Sequence, residues 1–155
     1  MKAKTCVLTV AFCVVAAVAA FAASNAQMGT WKLNESKSKI GAGMPKNDTV
    51  VYEAAGDNVK VTIDGTAGDG TKTHSEWTGK MDGKDYPSTG NPNEDTRAYT
   101  KVSASTLRFA SKKDGKVVLS GTVTVSADGK TRTVTSTAKG ADGKTAKSVL
   151  VYDKQ

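Results

Sequence analysis

What this sequence lacks narrows it first. Its 155 residues include only two cysteines, Cys6 and Cys13, and both fall within the first 26 positions. A chain that loses that segment has no thiol, no disulfide and no thiolate metal site. There is one histidine, His74. That excludes paired-histidine metal chemistry and leaves a general base without an obvious partner or pocket. Beyond residue 26, apolar residues nowhere recur at helical spacing, so no long helix is expected. No nucleophile elbow, no EF-hand spacing and no phosphate-cradling glycine loop opening a helix is present. Aromatics are sparse after residue 26: Trp31, Tyr52, Trp77, Tyr86, Tyr99, Phe109 and Tyr152.

The one long hydrophobic run lies at the start. Lys2 and Lys4 precede an almost unbroken apolar stretch from 6 to 23, and Ser24-Asn25-Ala26 then places small residues at −3 and −1. This is the pattern of a cleaved signal peptide, 1–26, followed by a single domain, 27–155. Cleavage after Ala22 is the other option. Phe12 before Cys13 rules against a lipoprotein box. No stop-transfer cluster follows, so no membrane span is expected after processing. The protein is expected to be exported, to the periplasm or beyond.

Without Lys2 and Lys4 the chain keeps 20 basic and 15 acidic residues, a net charge of +5. Lysine alternates with aspartate in turn after turn, and no arginine–lysine stripe forms. The balance therefore reads as solvated turns and strand ends, and no nucleic-acid partner is expected.

Turns and strands fill the chain. Asp114-Gly115-Lys116, Asp128-Gly129-Lys130 and Asp142-Gly143-Lys144 recur 14 residues apart, separated by runs rich in Val and Thr. Asp-Gly between β-formers is a strong hairpin signal. A further hairpin, 49–55 with 58–64, flanks Gly56-Asp57. A two-residue loop there pairs Ala54 with Val59, Tyr52 with Val61 and Val50 with Ile63, all on one face. Strands are also expected at 29–33, 71–80, 96–102 and 106–111, with one helical turn near 35–39. The fold class is all-β, an antiparallel up-and-down meander of eight to ten strands. A meander this long leaves two exposed edges unless it closes, which favours a barrel.

Gly29-Thr30-Trp31-Lys32-Leu33 resembles the Gly-x-Trp strand of the calycin group, the lipocalins and intracellular fatty-acid-binding proteins. Val151-Tyr152-Asp153-Lys154 resembles the last strand of the fatty-acid-binding branch. The resemblance implies a lipocalin-like barrel with an interior cavity for a small apolar ligand, and Trp31 closing its floor. Two departures limit it. Only residues 34–46 are available where fatty-acid-binding proteins insert two helices. Leu150 stands where their carboxylate-binding arginine would be, so that site is not carried over.

These readings give a non-catalytic, monomeric binding protein for an apolar or amphipathic molecule, with no cofactor and no metal. The expected lining is Trp31, Tyr52, Trp77, Phe109, Leu119 and Val134. The alternative is a structural or envelope-interaction module with a filled core. In the last strand, pattern and resemblance diverge. A three-residue loop at Lys113-Asp114-Gly115 sets Phe109 opposite Leu119 and Leu107 opposite Gly121. Two-residue loops at Asp128-Gly129 (type I′) and Asp142-Gly143 then place Val149 and Val151 inside, Arg132 opposite Asp153, and Leu150 and Tyr152 outside. The resemblance places Tyr152 inside. The first register buries more apolar side chains and is preferred.

Overall fold

A computed structural model describes residues 25–139 and 144–155. Ten strands follow in order: β1 (Gly29–Leu33), β2 (Lys46–Ala55), β3 (Asn58–Thr66), β4 (Lys72–Gly79), β5 (Tyr86–Thr89), β6 (Thr96–Lys101), β7 (Thr106–Lys113), β8 (Lys116–Val125), β9 (Thr131–Lys139) and β10 (Thr145–Lys154). Each pairs with its chain neighbours, and β1 also pairs with β10, so the meander closes into a barrel. One short 3-10 turn, Glu35–Lys37, is capped by the Asn34 side chain, which accepts from the Lys37 N–H. From there the chain runs on beside β10, where Lys39 and Val149 exchange backbone hydrogen bonds.

Alternation with period two puts one row of each strand inside. The β2–β3 hairpin has the register read from its two-residue loop: Val50 faces Ile63, Tyr52 faces Val61 and Ala54 faces Val59. Ala54 is nonetheless exposed, because its position lies at the barrel end where the wall gives out.

The other hairpins correct the sequence reading. At Asp114-Gly115 both residues have positive φ, 49° and 73°. This is the backbone of a two-residue type I′ turn, which glycine adopts without steric cost. A β-bulge then inserts Val118 opposite the Ser111/Lys112 step. The shorter loop and the bulge each move the register by one. Phe109 faces Gly121 and Leu107 faces Val123, two residues from the expected partners, and from Leu119 onward the side chains keep their expected face, whereas Val117, before the bulge, is turned out and 50% exposed. At Asp128-Gly129 only Gly129 has positive φ, and its N–H donates to the Ser126 carbonyl. The turn is therefore not type I′, yet Val123 faces Val134 and Val125 faces Arg132 as read.

The last strand is inverted from the preferred reading. Leu150 faces Val134, Tyr152 faces Arg132 and Asp153 faces Thr131. Leu150 and Tyr152 are 3% and 1% exposed, whereas Val149 is 36% exposed and Val151 is half-buried. Five residues separate the paired Lys139 and Thr145, where a two-residue loop was expected; four of them, including Asp142-Gly143, lie outside the described residues. An odd slip flips every side chain. This one exchanges two valines for a leucine and a tyrosine in the core, which buries more apolar area.

The core concentrates toward one end. Trp77 packs edge-on against Tyr99 at 4.8 Å and Tyr86 at 5.8 Å, and Tyr99 meets Tyr52 at 6.2 Å. Both indole N–H groups are satisfied by carbonyls, Trp31 to Gln27 and Trp77 to Arg97, each at 2.8 Å. Residues 25–28 close this end, with the Gln27 side chain donating to the Ser105 carbonyl at 3.0 Å. Gly121 lets the Phe109 ring lie flat against β8: a Cβ there would come within 2.8 Å of the ring.

Leu150→Asp should lower stability by about 3 kcal/mol or more, through an unpaired buried charge. Val149→Asp should cost no more than about 1 kcal/mol. Thermal and urea melts of the two variants check the inverted register; equal losses would contradict it.

Candidate functional site

Opposite the aromatic end the barrel is less filled. The loops around 41–45, 67–71 and 90–95 rim a mouth with a cavity of about 220 Å3, walled by Pro45, Ile63, Ser75, Glu94, Arg97 and Leu119 among others. Deeper lies a smaller lobe of about 40 Å3, which shares Pro45, Asn47, Ile63, Arg97 and Leu119 with the outer one. The walls of the inner lobe include Phe109, Arg132, Val134, Ser136, Leu150 and Tyr152. A larger concavity, about 410 Å3, lies on the outer face of β6–β8, bordered by Asp85, Arg108 and Lys112. It is an open groove of outward-facing side chains. The interior cavity is the better candidate, because buried Ile63, Ser75, Glu94 and Arg97 stand in its wall and water is displaced on filling it.

The expected lining divides in two. Phe109, Leu119 and Val134 border the inner lobe, and Leu119 borders both. Trp31, Tyr52 and Trp77 are fully buried but lie below the lobes, as the packed floor. Their volume went into closing one end of the barrel. Small side chains on the inward rows of β4 and β9, such as Ser75, Ser136 and Ala138, leave space at the other end.

Charge enters this interior at three positions outside the expected lining, Glu94, Arg97 and Arg132, of which only Arg132 was placed on an inward row from sequence. Arg97 projects inward from β6 beside Tyr99. Its Nη2 donates to Glu94 Oε2 at 2.7 Å, Nε to Ser111 Oγ at 3.0 Å and Nη1 to the Tyr99 hydroxyl at 3.2 Å. The other Glu94 oxygen accepts from Ser88 Oγ at 2.5 Å. Glu94 comes from the loop before β6, so this pair ties the rim to the interior and braces β5, which pairs through only two residues with each neighbour. Burial pushes the Glu94 carboxyl up. The charge of Arg97 and the hydroxyls of Ser111 and Ser88 outweigh this and hold it below the usual glutamate value. Burial likewise penalises the Arg97 charge, but Tyr99 and Glu94 more than offset that and raise its pKa.

Arg132, on β9, stands differently. Nη2 donates to the Tyr52 hydroxyl at 3.0 Å, and the guanidinium lies 4.9 Å from the Tyr52 ring centre and 5.2 Å from that of Tyr152. Its Nε and Nη1 are buried and meet no acceptor among the described residues. The phenols supply no counter-charge. Burial raises Tyr52 despite the opposing pull of Arg132, and pushes Tyr152 up to about 12. The slip in β10 sets Tyr152, not Asp153, opposite Arg132, and Asp153 accepts from the Asn34 amide at 2.6 Å.

His74 lies on the outside, 2.7 Å from Asp64, both well exposed. Among the described residues no three His, Cys, Asp or Glu side chains gather closely enough to hold a metal ion, and no helix is long and apolar enough to cross a membrane.

No protein-family model and no curated protein matches the chain. Solved structures similar to it include EF1p2_mFAP2b bound to DFHBI, at 13% identity and a TM-score of 0.51 over 86% of this chain and 97% of that one. Two others are mFAP1, a redesigned β-barrel bound to DFHBI (17% identity, TM-score 0.44, 84% and 99% covered), and a fluorescence-activating β-barrel of de novo design (17% identity, TM-score 0.40, 86% and 98% covered). At these identities the likeness concerns the fold. A ten-strand antiparallel barrel agrees coarsely with a calycin-like architecture, and no family is established by it.

Glu94→Gln should cost roughly 3 kcal/mol or more at pH 7, because it leaves Arg97 unneutralised in the interior. The native pKa of Glu94 is depressed, so its contribution is present above the unfolded value of about 4.3 and is lost as pH falls through the native one. Denaturant melts from pH 7 down to pH 3 should show the gap between parent and variant closing in acid. A gap independent of pH would contradict the buried ion pair.

Proposed function

We propose that this protein is a non-catalytic, monomeric binding protein for a small apolar or amphipathic molecule, held in the open end of the barrel. The observation that carries the reading is the interior cavity of about 220 Å3, continued inward by the lobe at Phe109, Leu119 and Val134. That the similar barrel EF1p2_mFAP2b is described bound to DFHBI is consistent with a ligand in such an interior. The volume falls below the roughly 300 Å3 of drug-sized pockets, so the occupant is small. The same shortfall favours the second reading, a filled structural or envelope-interaction barrel.

Titration with a neutral apolar fluorophore such as N-phenyl-1-naphthylamine separates the two. The binding reading expects saturable binding near the micromolar range, weakened by Leu119→Trp at the junction of the two lobes. A parent protein that leaves the fluorophore unbound favours the structural module.

Export after signal-peptide removal completes the proposal. The buried position of Gln27 favours processing after Ala22 over Ala26. Gln27 is 1% exposed, and the Asn25 side-chain and main-chain oxygens accept from the Gln27 and Met28 N–H groups at 3.1 Å each. Cleavage after Ala26 removes those acceptors and leaves a charged amine in the sealed end, a costly burial. Intact mass of the exported protein should show a chain that begins at Ala23; one that begins at Gln27 would contradict this.

A further inference from the structure

Three charged side chains are buried among the described residues. Glu94 and Arg97 neutralise each other, and both Glu94 oxygens and all three Arg97 nitrogens have partners. Arg132 is 4% exposed, borders the inner lobe and has one hydrogen bond, to a neutral phenol. Its partners in register are Val125 on β8 and Tyr152 on β10, neither of them acidic. Among the described residues no ion pair reaches it, and two of its nitrogens are buried without an acceptor. Buried guanidinium groups are ordinarily paired, because an unpaired one forfeits its hydration for nothing. The interior therefore holds one positive charge in excess, at the wall of a cavity.

We propose that Arg132 receives the anionic head of the ligand, so that the molecule bound is a small amphipathic monoanion, with a carboxylate as the simplest head group. The inference rests on the binding reading above and names its ligand class. One uncompensated charge calls for one negative charge, not the two of a phosphate monoester. The head takes the inner lobe, which Ser136 also borders. Its apolar body runs past Phe109, Val134 and Leu119 into the wider outer lobe. The tyrosine rings on Arg132 hold the guanidinium in place before the ligand arrives, so little side-chain entropy remains to be lost on binding. This geometry is the protein's own: the arginine is on β9, one strand away from the position that the fatty-acid-binding resemblance assigns to it.

The test is calorimetric titration of the processed protein with octanoate, octan-1-ol and octylammonium. Octanoate should bind at least about tenfold more tightly than octanol, the smaller part of what a charge-assisted hydrogen bond contributes. Octylammonium should bind most weakly. Arg132→Met should erase the preference for octanoate while retaining the affinity for octanol. Equal binding of octanoate and octanol overturns the anion site and leaves an apolar pocket standing. Binding of none of the three, with the neutral fluorophore also unbound, overturns the pocket and the anion site together. The comparison of the three ligands on the parent needs no variant, so a poorly folding Arg132→Met does not weaken it.

Discussion

Closure of the strand ladder is the constraint on which everything else depends. With no cysteine after residue 13, no covalent staple supports the described domain. An open meander would present two unpaired edges. Pairing of β1 with both β2 and β10 removes them, and Trp31, at the middle of β1, sits with no exposure where the first and last strands meet. Closure also fixes parity. Once the ring is complete, each strand has one inward row, and that row must be apolar or internally satisfied.

The inward rows are filled unevenly, and the cavity follows from that. The two tryptophans, Tyr52 and Tyr99 gather toward one end, where edge-on packing and satisfied indole N–H groups make a dense floor. Toward the other end Ile63 and Leu119 stand among small inward residues such as Ser75, Ser136 and Ala138. There the barrel admits charge. The Glu94–Arg97 pair is internally complete and braces the short β5. Arg132 is left with one neutral partner. Replacing a complete buried pair with apolar residues is often harmless, but leaving half of one is not. An incomplete guanidinium beside a cavity therefore points to a role outside stability.

Parity explains how much of this was legible in the sequence. Period-two alternation and the Asp-Gly turns identify the closed meander and the facing of β2, β3 and β7 to β9. The reading survives two local errors there. The shorter loop at Asp114-Gly115 and the bulge at Val118 each shift the register by one, and two shifts restore the facing. A single odd slip before β10 has no such compensation, so Leu150 and Tyr152 exchange places with Val149 and Val151. Turn residues specify turn types, while bulges and loop lengths answer to tertiary packing that no local pattern records. The site divides similarly. Phe109, Leu119 and Val134 are readable as inward apolar residues. Arg132 shares the inward row of Val134, which was signal enough to place it inside but not to leave it unpaired. Glu94 carried no signal, because nothing periodic marks a loop carboxylate that folds back beneath the rim.

Arginine Nε–H resonances test the account most directly. The chain has three arginines, Arg97, Arg108 and Arg132, so each signal can be assigned. Arg97 Nε already donates to Ser111, and Arg108 is exposed on the outer face. On addition of octanoate the Arg132 Nε–H signal should move furthest and slow in its exchange with water, while octanol leaves it in place. A shift confined to Arg108, or none at all, would contradict an interior built to hold an anion.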